Sequence, residues 1–190
     1  QKSGLAHVNL GAVYQQQAQD EAAIAEYKKA IDVQPTLLDG YFSLGMLYEK
    51  QGKLDDAYEM YKEVERINPA YYAIYNNLAS IEVQRGNVPE AEAHYKEAIA
   101  LNPYYADAHF NLGAIYFSAH RLQEAAKEFE IASSVEGDKV TTLHSLLDIY
   151  TQLNDMPQTV HTLKRIIAID PTDALANNLL DSLKKSGVTK

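Results

Sequence analysis

Side chains able to perform catalysis or bind a metal are few in this chain and are not spaced for either task. The sequence contains no H-x-x-x-H pair and no acidic loop with metal-ligand spacing. It also lacks a glycine-rich phosphate loop, a G-x-S-x-G nucleophile elbow and any cysteine. We therefore predict that the protein is not an enzyme and needs no cofactor. The histidines are His7, His94, His109, His120, His144 and His161.

Polar residues recur at one constant interval along the sequence and form a column of Asn9, Ser43, Asn77, Asn111 and Ser145. An asparagine side chain carries a donor and an acceptor, so it can pair with both the C=O and the N–H of a peptide backbone. This is the chemistry of binding and not of catalysis. Whether the column can bind a peptide depends on the secondary-structure elements that carry these residues.

The same interval is a period that organises almost the whole chain. Prolines stand on it at Pro35, Pro69, Pro103 and Pro171. Leu-Gly-x-x-Tyr begins at Leu10, Leu44 and Leu112, and Ala-x-x-x-aromatic begins at Ala23, Ala57, Ala91 and Ala125. Apolar residues within each copy follow helical spacing, so each copy predicts a pair of helices that packs on its neighbours.

The run Leu-Gly-x-x-Tyr, Ala-x-x-x-aromatic, Pro at this period resembles the tetratricopeptide repeat (TPR). The resemblance covers five copies, residues 4–37, 38–71, 72–105, 106–139 and 140–173, followed by a capping helix at 174–185. It implies an all-α fold, a right-handed α-solenoid that forms a single array over residues 1–190. It also implies a concave face lined by the first helix of each copy, and protein–protein interaction as the function.

Small residues are expected to bring the two helices of a copy together. Gly11, Gly45 and Gly113 should face the alanine column, with aromatic rings on either side. Repeat five carries Leu147, Thr159 and Ile166 at these positions, so we expect its helices to stand further apart.

Three features depart from the regular pattern or end it. Gly137 replaces the proline of repeat four, which predicts a helix ended by a positive φ and a looser connection. Glu82 replaces a tyrosine and is expected to be exposed or paired with Arg85. In the capping helix, Leu175, Leu179 and Leu183 are expected to form the stripe that covers repeat five.

The first helices carry the predicted binding site. Within the resemblance, the residue before each Leu-Gly pair points into the concave groove. The Asn/Ser column is then similar to the asparagine ladder of O-linked N-acetylglucosamine transferase repeats, which holds an extended peptide. Repeats stacked ~8–10 Å apart would meet an extended chain at about every third residue. The alternative is that these residues bind no peptide and are polar only because the surface is exposed to solvent.

Further side chains are predicted on the same inner face, namely Asn76, Phe42, Met46, Phe110, Phe117, Asp39, Glu49, Asp107 and Asp148. The apolar members would anchor partner side chains, the alternative being burial against the next repeat. The predicted inner face carries four carboxylates and only one cation, Lys50. The predicted partner is therefore a protein or peptide with basic and apolar residues. TPR domains that clamp a chaperone carboxylate use lysine and arginine, and the matching positions here supply no such cations.

The composition narrows the partners and leaves several readings open. A net charge of −9 disfavours nucleic acid, and without about 20 consecutive apolar residues this segment is not expected to insert into a membrane. Cytoplasm and periplasm both remain open. Because the chain begins at Gln1, we expect an upstream segment to have been removed, which leaves repeat one uncapped and able to form a homo-oligomer. The alternatives to a binding scaffold are an assembly subunit of a larger envelope or membrane-associated complex, and the substrate-recruiting arm of an enzyme.

Overall fold

Residues 3–186, which a computed structural model describes, consist of eleven α-helices joined by short turns. The helices are α1 Gly4–Gln16, α2 Asp20–Val33, α3 Leu38–Lys50, α4 Leu54–Ile67, α5 Tyr72–Arg85, α6 Val88–Leu101, α7 Ala106–Ser118, α8 Leu122–Glu136, α9 Val140–Gln152, α10 Met156–Ile169 and α11 Ala174–Lys185. They form two compact units, Gln1–Leu101 with three helix pairs and Asn102–Lys190 with two pairs and α11. The all-α prediction is confirmed.

Glycines in the first helices make room for an aromatic ring from the second helix. A Cβ atom added at Gly11 would lie 2.5 Å from Cε1 of Tyr27, and one at Gly45 would lie 2.5 Å from Cε1 of Tyr61. The equivalent contact at Gly113 is looser, 3.2 Å from Cδ1 of Phe129. The nearest atoms to each of these glycines therefore belong to the aromatic ring, which was expected to fill the space beside the small residues.

The turn inside every helix pair places one residue in the left-handed conformation. These residues occupy a single repeat position and are Ala18 (φ 56°), Gly52 (φ 72°), Gly86 (φ 80°), His120 (φ 56°) and Asn154 (φ 54°). Three of the five are not glycine, so the tertiary fold imposes the conformation whatever the side chain.

A side chain near the start of the first helix binds the proline carbonyl that ends the preceding repeat. The Tyr75 hydroxyl donates to Pro69 O at 2.9 Å and the Tyr41 hydroxyl to Pro35 O at 3.3 Å. Nε2 of His109 lies 3.1 Å from Pro103 O, and Nδ2 of Asn177 donates to Pro171 O at 3.0 Å. We call this contact the proline clasp.

The connection between α8 and α9 lacks the proline clasp, because Gly137 replaces the proline and Leu143 cannot donate. Gly137 does adopt a positive φ of 83°, as predicted. Asp138 accepts hydrogen bonds from Arg165 at 2.5 and 2.9 Å and from the Ser133 hydroxyl at 2.5 Å, and Arg165 also binds Glu130. The connection is therefore tied down by charged groups, contrary to the expectation of a looser one.

The last repeat departs from the others, whereas α11 buries the same repeat positions as earlier first helices. Leu147, Thr159 and Ile166 are all buried, and the backbones of α9 and α10 approach each other closely at fewer points than those of the other pairs. On α11 the buried residues are Ala176 and Leu180, whereas Leu175 is 59% exposed. The prediction is wrong for Leu175, whereas Leu179 and Leu183 are half-buried, because the side of α11 that is most buried carries the repeat positions that other first helices bury, as at Ile74 and Leu78.

Candidate functional site

Buried tyrosine hydroxyls occupy the centre of the predicted ladder in the first unit. The Tyr27 hydroxyl donates to Gln15 Oε1 at 2.8 Å, and the Tyr61 hydroxyl donates to Glu49 Oε2 at 2.9 Å. Burial raises the pKa of both tyrosines, and the neighbouring Glu49 raises that of Tyr61 further. Both side chains therefore keep their proton at neutral pH and remain donors.

The ladder residues of the next repeat lie beside the same hydroxyls. Against the effect of burial, Ser43 lowers the pKa of Tyr27 and Asn77 lowers that of Tyr61, as a polar side chain that donates towards a phenolic oxygen does. Tyr61 gives its proton to Glu49, so an Asn77 N–H turned towards its oxygen would leave the Asn77 carbonyl oxygen and a second N–H for another partner. We use the name tyrosine bridge for each of the two arrangements, Gln15–Tyr27–Ser43 and Glu49–Tyr61–Asn77.

The remaining predicted residues of the first unit divide into exposed and engaged groups. Asn9 and Asp39 are exposed, and Met46 is 47% exposed. Phe42 is half-buried, with its ring centroid 6.1 Å from that of Tyr61 and 5.9 Å from that of Tyr71. Glu49 is half-buried and bound by Tyr61, and Asn76 is half-buried on α5.

In the second unit the ladder residues Asn111 and Ser145 are both half-buried. The Ser145 hydroxyl donates to Thr141 O of its own helix at 3.3 Å, so it is already engaged. Asp107 and Asp148 are exposed, and Asp148 accepts from the Gln152 amide at 3.1 Å. Phe117 is half-buried.

A pocket of about 250 Å³ opens beside Phe110 in the second unit. Phe110 packs edge-on against Phe129, with their ring centroids 5.3 Å apart. The pocket is lined by Ala106, Asp107, Phe110, Ala132, Glu136, Gly137, Lys139, Thr141 and Thr142. Sequence reasoning named Asp107 and Phe110 but missed the pocket between them.

The titratable groups outside this face serve packing. His109 is buried, with Nδ1 2.6 Å from Glu128 Oε2, and His7 makes the same 2.6 Å contact with Glu26. Glu82 is buried and accepts from Arg85 at 3.0 Å and from Asn87 at 2.6 Å, so the predicted pairing with Arg85 is confirmed. Within residues 3–186 no three histidine, aspartate or glutamate side chains gather as a metal site would require.

Helix pairs repeated at a constant period, with a glycine against an aromatic ring in three of them, define an α-helical repeat protein. A family model described as "TPR repeat" matches residues 16–52 and 79–119, and a model described as "Tetratricopeptide repeat" matches residues 48–96. Together these matches cover more than half of the chain. The chain belongs to the tetratricopeptide-repeat family.

Solved structures with the same fold confirm the helical-repeat solenoid class. MamA matches with a TM-score of 0.76 and 23% identity over 90% of this chain and 93% of MamA. YrrB matches with a TM-score of 0.70 and 19% identity over 91% of this chain and 89% of YrrB. PilF of Pseudomonas aeruginosa matches with a TM-score of 0.76 and 18% identity over 91% of this chain and 79% of PilF. The comparison with curated proteins gave no match.

Membership of this family places the chain among proteins that are in general non-catalytic scaffolds for other proteins or peptides. Among the helices of residues 3–186, none combines the length and the apolar character needed to cross a bilayer.

Proposed function

We propose that this protein is a non-catalytic scaffold that binds an extended peptide segment along the inner faces of its first helices. The observation that carries the proposal is the pair of tyrosine bridges. Each places a ladder side chain beside a buried tyrosine hydroxyl, and the Asn77 amide has an acceptor and a donor to offer a peptide backbone. We infer that these neighbours restrain the ladder side chains, and a restrained side chain loses less conformational entropy when it binds a peptide backbone.

The surrounding side chains favour a basic and apolar partner. Met46 and Phe42 offer apolar surface beside the bridge at Tyr61, and the exposed carboxylate of Asp39 lies on the same helix. In the second unit Phe110 and Asp107 repeat this combination. The solved structure of YrrB is described as a TPR protein with an unusual peptide-binding site, which supports peptide binding as a use of this fold.

A random peptide library displayed on phage provides the test, because it needs no prior partner. The dissociation constant of a selected peptide is measured on the native chain and on the triple variant Asn9, Asn77, Asn111→Ala. Each backbone hydrogen bond contributes about 0.5–1.5 kcal/mol, so we expect binding to weaken roughly tenfold to a hundredfold. The control variant Gln19, Gln123, Gln158→Ala removes three amides from elsewhere on the chain and should bind normally. Equal affinity for the two variants would refute the ladder.

A second function, end-to-end assembly, is favoured by exposed apolar side chains on α1. Val13 is 46% exposed, whereas the residues at its repeat position in later copies, Leu47, Ile81, Ile115 and Ile149, are at most 8% exposed. Those residues lie at positions that each preceding repeat covers. We infer that Val13 and Leu5, which is 50% exposed, form a stacking surface for another copy. Sedimentation analysis should show mass rising with concentration, and Val13→Glu should abolish the rise. A monomer at all concentrations contradicts this second function.

A further inference from the structure

Repeat two shows how the surface beside a first-helix phenylalanine is normally filled. The Tyr71 ring meets Phe42 edge-on, with an interplanar angle of 70° and 5.9 Å between centroids. Burial raises the pKa of Tyr71, and Tyr72 and the Asp39 carboxylate raise it further. In repeat two, Tyr71 thus packs on Phe42, and the exposed Asp39 stands one helical turn before Phe42 on α3.

Repeat four keeps two of these three residues and loses the third. Phe110 and Asp107 stand at the positions of Phe42 and Asp39. The residues around them are smaller or more polar: Lys139 replaces Tyr71, Ala132 replaces Val64, Gly137 replaces Pro69 and Thr142 replaces Ile74. These replacements leave the pocket of about 250 Å³, and all four replacing residues line it.

The pocket has the size for one large side chain. Sites for drug-sized ligands are about 300–1,000 Å³, larger than this pocket. Lys139 does not close it, because its Nζ forms an ion pair with Glu136 and its side chain is 57% exposed. Lys139 is paired with Glu136, and the Asp107 carboxylate in the lining can accept a hydrogen bond from the hydroxyl of an occupant.

We propose that this pocket takes an aromatic side chain, preferably tyrosine, from the segment bound by the scaffold. The ring would pack edge-on against Phe110 as Tyr71 does against Phe42, and its hydroxyl would donate to Asp107. This inference rests on the proposed function for the source of the side chain. Edge-to-face aromatic pairs strengthen such contacts beyond the area that they bury.

A two-part experiment separates the pocket from the scaffold. First, N-acetyl-tyrosinamide, N-acetyl-leucinamide and N-acetyl-argininamide are titrated into ¹⁵N-labelled native chain. We expect only tyrosinamide to shift the amide signals of Phe110, Lys139 and Thr142. In the variants Lys139→Tyr and Thr142→Ile, which restore residues of repeat two, these shifts should fall at least tenfold at equal ligand concentration. Circular dichroism establishes that each variant is folded, and either variant alone suffices.

Second, peptides selected on the native chain and on Lys139→Tyr are compared. We expect one tyrosine-enriched position with the native chain and loss of that enrichment with the variant. Selected peptides without aromatic preference would overturn the pocket assignment and leave the scaffold intact. Tyrosinamide shifts without any selected peptide would refute the scaffold and retain the pocket. Argininamide or leucinamide shifts equal to those of tyrosinamide would overturn the choice of occupant.

Discussion

At the scale of single residues, one repeat position carries different side chains in different copies, and each of them has a matching partner. His7 and His109 each meet a glutamate, whereas Tyr75, at the same position, meets the ring of His94 with 6.2 Å between centroids. Each pairing satisfies the groups it buries, so a substitution on one side of a pair should require a matching change on the other.

The contact of His109 with Glu128 can be tested by copying repeat two, which has Tyr41 and Met60 at these positions. His109→Tyr keeps a donor for Pro103 but leaves the Glu128 carboxylate, 13% exposed, without its partner. We expect a loss of about 2 kcal/mol in the free energy of unfolding. The double variant His109→Tyr, Glu128→Met should recover most of it. Urea unfolding measures both, and equal losses in the two variants would show that the contact is not coupled.

The ion pair of Asp138 with Arg165 predicts a dependence on pH. The Arg165 and Ser133 hydrogen bonds lower the pKa of Asp138 from 3.8 to about 2. Because the pKa in the folded state is the lower one, the stabilisation is present above about pH 4 and is lost as the pH falls towards 2. Asp138→Asn should therefore cost about 1 kcal/mol at pH 6, after allowance for solvent screening, and almost nothing near pH 2. In an Arg165→Met background the cost should shrink at both pH values, and urea unfolding at each pH measures it.

At the scale of helices and turns, one backbone geometry is repeated with different side chains. The left-handed turn position and the glycine beside the aromatic ring recur with the period of the repeat. Substitutions at equivalent positions therefore serve as controls for one another.

The turn position gives the first such comparison. An L-residue in the left-handed conformation costs about 1 kcal/mol or more relative to glycine. Ala18→Gly should therefore stabilise the chain by about 1 kcal/mol, and Gly52→Ala should destabilise it similarly. A Cβ at Gly52 would meet no atom within 4 Å, so sterics do not complicate its result. Thermal melting of both variants provides the measurement, and shifts of the same sign would contradict the argument.

The glycine beside the aromatic ring gives the second comparison. Gly45→Ala places a Cβ 2.5 Å from the Tyr61 ring, so overpacking should exceed the gain in helix propensity of about 1 kcal/mol and give a net loss of about 1–2 kcal/mol. Gly113→Ala, with 3.2 Å to Phe129, should change stability by less than about 1 kcal/mol. Chemical denaturation of both variants tests the order, and an equal loss would mean that the ring of Tyr61 moves aside freely.

At the scale of the whole molecule, the period predicted the fold because most copies repeat the same leucine, glycine, alanine and proline positions. Helix bounds followed from Pro35, Pro69 and Pro103, which mark where second helices end. The site was predicted less completely. Ser43 and Asn77 lie beside tyrosines on the second helix of the preceding repeat, and these residues become neighbours only after the repeats stack.

The pocket beside Phe110 left a signal in the sequence that a reading of single motifs misses. Gly137 indicated a changed helix end, but the pocket needs Lys139, Ala132 and Thr142 together. The spacing of Tyr27 from Gln15, repeated between Tyr61 and Glu49, was a comparable signal for the tyrosine bridges. Comparing whole copies position by position would have revealed both.

Charge on the inner face predicts how binding responds to salt. Asp39, Asp107 and Asp148 are exposed, so their attraction to a basic peptide is screened by ions. The affinity of a selected basic peptide should fall roughly fivefold or more between about 0.05 M and 0.5 M salt. Asp39, Asp107→Asn should flatten this dependence more than Asp181→Asn on α11, as calorimetric titration can measure. A slope equal to that of the native chain would contradict the role given to these carboxylates.

The connection at Gly137 should resist force differently from the other connections between repeats. Neutral hydrogen bonds stabilise the connections at Pro35, Pro69 and Pro171, whereas ion pairs of Arg165 with Glu130 and Asp138 stabilise this one. Acid or high salt should weaken these ion pairs and leave the neutral hydrogen bonds at the other connections intact. Under tension in an optical trap, α9 to α11 should then peel away first, and acidifying the buffer should lower the force at which they do so.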